Sequence, residues 1–163
     1  MKKIIFLLLL LPVLAFSQNC KYERNETDKF TNSKILVTKE EIAWKNPMGG
    51  NSLSFKLQNI DGQLSMWFRY SMSKTFSIQQ GSKLMLLTPT GTIELTASET
   101  KVSDHYSTTS FIETIYNITP EAYIFMLSYP VTDIRFYTTD GYIEHTLKKN
   151  KQIVFQTTAA CIK

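Results

Sequence analysis

The chain has 163 residues, 43% hydrophobic and 20% charged, with six glycines, five prolines and a formal net charge of +4. That balance excludes collagen-like and low-complexity disordered chains, and the length allows one ordinary domain. Eighteen basic residues less Lys2 and Lys3 leave 16 against 14 acidic ones, so without its first residues the chain is close to neutral.

Met1-Lys2-Lys3 precedes an apolar run over residues 4–16, and Ser17-Gln18-Asn19-Cys20 follows. A basic start, an apolar core and a small-residue exit make a cleavable secretory signal, residues 1–17, with Ala15 and Ser17 placed for cleavage before Gln18. The run falls short of the ~20 apolar residues that span a bilayer, so no transmembrane helix is expected in the mature chain. An acyl anchor on Cys20 is the competing reading. It is disfavoured because Asn19, not a small residue, precedes the cysteine. Residues 18–163 then form a single strand-rich globular domain in the periplasm or outside the cell.

Cys20 and Cys161 are the only cysteines. An even pair in an oxidising compartment is a candidate disulfide, and two separate thiols are the alternative. Residues 20–33 read as a polar, irregular arm packed by Tyr22 and Phe30. Residues 34–38 are a β-branched strand, and the Pro/Gly-rich stretch 46–51 is a loop. Leu53, Phe55 and Leu57, then Leu64, Met66, Phe68, Tyr70 and Met72, alternate with polar residues on either side of Asp61-Gly62. That pattern predicts a hairpin with a type I′ turn. Strands are further expected at 75–78, 83–88, 91–97 and 111–118, with a polar loop or edge at 98–110.

Thr119-Pro120-Glu121 starts a helix near 120–128: a hydroxyl cap, proline in the first turn and an acid at the positive helix end. Pro130 stops it. Residues 131–138 and 142–147 flank Asp140-Gly141 as a second hairpin. A C-terminal helix is expected near 148–162, with Lys151, Val154, Thr158 and Cys161 toward one face. The fold class is mainly β (α+β): an antiparallel sheet, sandwich or partly open barrel built from hairpins.

No catalytic, cofactor-binding or metal-binding set stands out. His105 and His145 lack the company of three or four ligands that a metal needs, and no G-x-S-x-G elbow or P-loop occurs. Lys148-Lys149-Asn150-Lys151 is the densest basic cluster. It reads as a solvated face, so no nucleic acid is expected as partner. Trp67 and Arg69 lie on the strand face opposite the apolar stripe and form a weak ligand-contact candidate. Packing beneath a loop or a second sheet is the favoured reading, because a sheet covered on both faces needs this many apolar groups.

Residues 22–31 (YERNETDKFT) and 134–144 (IRFYTTDGYIE), with Phe76-Ser77-Ile78 and Gly81-Ser82-Lys83-Leu84 between them, resemble a group of small exported strand-rich proteins of Bacteroidetes-type bacteria. The resemblance implies export from a Gram-negative cell and one strand-rich domain, and it transfers no catalytic residue. The functional expectation is a non-enzymatic exported binding or interaction domain. Its partner would be an apolar or amphipathic small ligand or an envelope protein. The alternative is a cell-envelope hydrolase, or an inhibitor of one.

Overall fold

A computed structural model describes residues 20–163, so the expected leader and its cleavage point lie outside the described residues. In chain order the strands are β1 Tyr22–Thr27, β2 Lys34–Thr38, β3 Glu41–Lys45, β4 Ser52–Ile60, β5 Gln63–Met72, β6 Ser77–Ile78, β7 Lys83–Thr88, β8 Gly91–Ala97, β9 Lys101–Val102, β10 Asp104–Tyr106 and β11 Thr109–Asn117. Helix α1 (Pro120–Ser128), β12 (Asp133–Thr138), β13 (Gly141–Thr146) and helix α2 (Val154–Ala159) complete the chain. Eleven strands join one antiparallel sheet in the order β1-β2-β4-β5-β11-β8-β7-β12-β13, with β3 also on β4 and β10 on β11. The remaining two, β6 and β9, pair with each other. The sheet is not closed into a barrel.

The first hairpin forms in the expected register. Leu53 faces Tyr70, Phe55 faces Phe68 and Leu57 faces Met66, all buried on one side. Its turn is two residues long, and both take positive φ, 51° at Asp61 and 85° at Gly62. This is the type I′ geometry, in which the turn's twist matches that of the strands it joins. The Asp61 carboxylate also accepts a bond from the Lys34 backbone N–H at 2.8 Å, which ties the turn to β2. The second Asp-Gly pair acts differently. Thr138 pairs with Gly141, so Thr139 and Asp140 make the turn. Asp140 is not among the positive-φ residues, whereas Gly141 has φ +124°.

Three expectations are corrected. The arm over residues 20–33 is not irregular: its first part is β1, paired with β2 from Tyr22↔Thr38 to Thr27↔Lys34. Its side chains are almost all exposed, so backbone ladder bonds rather than an apolar stripe hold it in place. Phe30 does not pack the arm: it is 84% exposed at the tip of the turn, with the Lys29 ammonium 5.0 Å from its ring. There the Asp28 carboxylate accepts the Phe30 and Thr31 N–H groups at 2.8 and 2.9 Å, and those bonds lower its pKa.

The second correction is β3, a strand on β4 in a stretch where none was expected. The bulge between Ile42 and Trp44 breaks its alternation. The third is the facing of the C-terminal helical segment, which forms where expected, over residues 149–162, as a 3-10 turn at Lys149–Lys151, α2, and a 3-10 turn at Ala160–Ile162. Its buried face is Phe155, Thr158, Ala159 and Ile162, an i, i+3, i+4, i+7 set, and not the face of Lys151, Val154 and Cys161.

Helix α1 lies where its cap predicts. The Thr119 hydroxyl accepts from the Ala122 N–H at 3.2 Å, and Pro120 opens the first turn. Both helices cover the apolar side of the sheet. Phe155 of α2 stacks on Phe55 with ring centroids 4.1 Å apart, and Ala122 and Met126 of α1 are buried in the same core. Tyr123 and Gln156 lock the helices together by donating to the Ala159 and Leu127 carbonyls at 3.1 and 2.8 Å.

Cys20 and Cys161 form a disulfide, with Cα atoms 5.6 Å apart. Two further bonds hold the same corner. The Tyr22 hydroxyl donates to the Cys161 carbonyl at 2.7 Å, and the Asn59 amide donates to the Ile162 carbonyl at 2.8 Å. No helix among the described residues is long and apolar enough to cross a membrane.

Candidate functional site

Period-two geometry sends Lys56, Trp67, Arg69, Glu113 and Ile115 to the side of β4, β5 and β11 opposite the buried stripe. Lys56 pairs with Trp67, Trp67 with Ile115, and Arg69 with Glu113 across the ladders. The Lys56 ammonium lies 4.6 Å from the Trp67 ring centroid and bonds Glu23 at 2.6 Å. The Arg69 guanidinium lies 5.0 Å from the Phe111 ring and pairs with Glu113 at 3.5 Å. Trp67 and Arg69 are both half-buried. The helices sit on the other face, so among the described residues no helix lies over these two side chains. What results is a row of rings and cations, each cation over a ring, on an open sheet surface.

The same device recurs farther along the sheet. On β12 and β13, Arg135 lies 4.5 Å from the Tyr142 ring and donates through Nε to Glu144 at 2.7 Å. Met85, Leu87, Thr92, Asp133, Arg135 and Glu144 surround a shallow groove of about 160 Å³ there. Arg135 is held in its charged form by the Glu144 hydrogen bond.

The two histidines differ in setting. His105 Nδ1 lies 2.9 Å from Ser110 Oγ, directly across the β10–β11 ladder. Such a contact is half of a nucleophile pair. The Ser110 hydroxyl is fully buried under the hairpin, however, and no substrate carbonyl can reach it. His145 packs inward: its ring stacks on Trp44 at 3.6 Å, and Nε2 lies 3.1 Å from the Tyr70 hydroxyl. Burial pushes the His145 pKa down to about 4 and the Tyr70 pKa up to about 12. At neutral pH the pair is therefore an uncharged hydrogen bond, with no carboxylate to orient the imidazole for proton transfer. Among the described residues no group of three His, Cys, Asp or Glu side chains could hold a metal ion.

Trp44 drew no notice in the sequence because β3 carries no alternation. It holds His145 in place and forms one wall of a groove with Ile42, Ala43, Lys45, Lys148 and Lys151. A broader cleft of about 410 Å³ runs along the disulfide between Lys21, Thr38, Lys39, Glu41, Thr157 and Thr158. A third, of about 240 Å³, separates β8 from α1. All are surface features.

No family model, curated protein or solved structure matches the chain.

Proposed function

We propose that the protein is an exported, non-enzymatic interaction domain of a Gram-negative bacterium that binds a protein partner across the open face of β4, β5 and β11. The observation that carries this reading is the contiguous row of Trp67, Arg69, Phe111 and Ile115 on a sheet face that no helix covers. Tryptophan and arginine dominate interface energetics, and rings already held by cations lose little rotamer freedom on docking. A rigid sheet also presents them more precisely than a loop would.

A small apolar ligand between sheet and helix is not part of this reading. Phe155 already stacks on Phe55 where such a ligand would sit, and Phe68, Phe136 and Tyr70 fill the adjoining space edge to face. Export is supported by the basic-apolar-small pattern of residues 1–17 and by the disulfide, which suits an oxidising compartment.

The test is capture from envelope extract on the immobilised mature protein. One stoichiometric partner is expected, and Trp67→Ala or Arg69→Ala should weaken it by about 2 kcal/mol each, near 30-fold. Repeated capture without a stoichiometric partner, or capture indifferent to both substitutions, would overturn the proposal. N-terminal sequencing of the protein recovered from cells checks the export half, with Gln18 expected first and Met1 the contrary result.

A further inference from the structure

Six ion pairs occur among the described residues: Arg24–Glu26, Lys56–Glu23, Arg69–Glu113, Lys83–Glu94, Lys101–Glu99 and Arg135–Glu144. None involves Lys45, Lys148 or Lys151. Yet these three line one narrow groove of about 110 Å³ with the Trp44 ring as a wall. Lys45 ends β3, and Lys148 and Lys151 flank the 3-10 turn that follows β13. The Lys151 N–H bonds the Lys148 carbonyl at 2.7 Å. Lys148 is the N-cap of that turn and Lys151 its last residue, and both line the same groove. The opposite wall is fixed by the stack of Trp44 on His145. The groove is thus lined by three lysines and no carboxylate, and a bound anion offsets the repulsion among their charges.

We propose that this groove is a binding site for a phosphate monoester, borne by a small molecule or by a lipid headgroup. A monoester carries about −1.5 to −2 charge at neutral pH and three acceptor oxygens, which suits a groove lined by three lysines and no acid. Trp44, Ile42 and Ala43 would pack against the apolar part that bears the phosphate. The groove is too small for a polymer backbone, which separates this site from a nucleic-acid surface. It lies apart from the Trp67 face and does not depend on the partner-binding reading.

The experiment titrates the full mature protein at low ionic strength with inorganic phosphate. Phosphorus NMR and Trp fluorescence follow binding. A parallel arm uses phosphatidylcholine vesicles with and without phosphatidic acid. Three proteins are compared: wild type, Lys45→Gln/Lys148→Gln/Lys151→Gln, and the charge-matched Lys34→Gln/Lys74→Gln/Lys163→Gln. Saturable binding that falls about tenfold or more in the groove variant and under about twofold in the control supports the site. Binding to phosphatidic acid vesicles beyond that seen with inorganic phosphate assigns it to a lipid headgroup, and phosphate binding alone assigns it to a soluble ligand. Non-saturable binding, or equal loss in both variants, overturns it. Matching melting temperatures for the three proteins show that the substitutions spare the fold.

Discussion

The core holds two tyrosines whose hydroxyls fare differently. Tyr70 bonds His145, whereas the fully buried Tyr116 hydroxyl has no hydrogen-bond partner in the described protein. Removing a bonded hydroxyl strands its partner, and removing an unpartnered one costs little. Tyr70→Phe should therefore destabilise by about 1 kcal/mol and Tyr116→Phe by less than about 0.5, read from urea midpoints at constant slope. Equal losses would show that the Tyr116 hydroxyl is engaged.

His145 sets a pH dependence whose sign follows from burial. Its folded pKa, about 4, lies below the ordinary value of 6.5. Between those values the unfolded chain binds more protons, so the contribution is complete above pH 6.5 and is lost as the pH falls toward 4. The ring faces Tyr70 and Trp44, and the Lys45–Lys148–Lys151 groove beside Trp44 adds only positive charge. Because the ring is half-buried, solvent trims the effect to about 1–2 kcal/mol. Thermal melts between pH 7.5 and 4.5 should show His145→Gln losing less stability than wild type over that window. Parallel curves would refute the assignment.

At the scale of elements, positive φ and caps decide which substitutions are felt. Gly62 holds φ +85° with open space around it, so Gly62→Ala meets backbone strain but no clash and should cost about 1 kcal/mol. Thr119→Ala removes the α1 cap and should cost about the same. Both are checked by denaturant titration, and a neutral result at either position would mean that the local geometry relaxes. The first hairpin and α1 were legible in advance because their signals are local: alternation about Asp61-Gly62, and Thr119-Pro120-Glu121. β1 and β3 were not. The polar β1 owes its place to ladder bonds with β2, and β3 exists because β4, longer than β2, leaves half its edge for Glu41–Lys45 to fill.

For the whole molecule the disulfide matters most. It closes a loop of 141 residues in sequence separation, which on the chain-entropy model is worth up to about 5 kcal/mol. Cys20→Ser/Cys161→Ser should lower the melting temperature by about 10 °C or more and free the first strand for proteolysis. A shift of only a degree or two would mean that Tyr22 and Asn59 hold that corner without the bridge. The protein's edges are otherwise modest. β1 is polar and carries Arg24 and Glu26 paired along it, features that discourage edge-to-edge pairing.

Local chemistry in the chain determined the strand-rich class, the hairpin registers, the capped helix and which residues of β5 face away from the core, since each depends on neighbours within a few positions. Tertiary structure alone decided that both helices pack on the face away from Trp67 and Arg69, that Trp44 meets His145, and that Lys45 lines one groove with Lys148 and Lys151. Those contacts unite segments about a hundred residues apart, where no periodicity reaches and only the packing of a curled sheet brings the groups together.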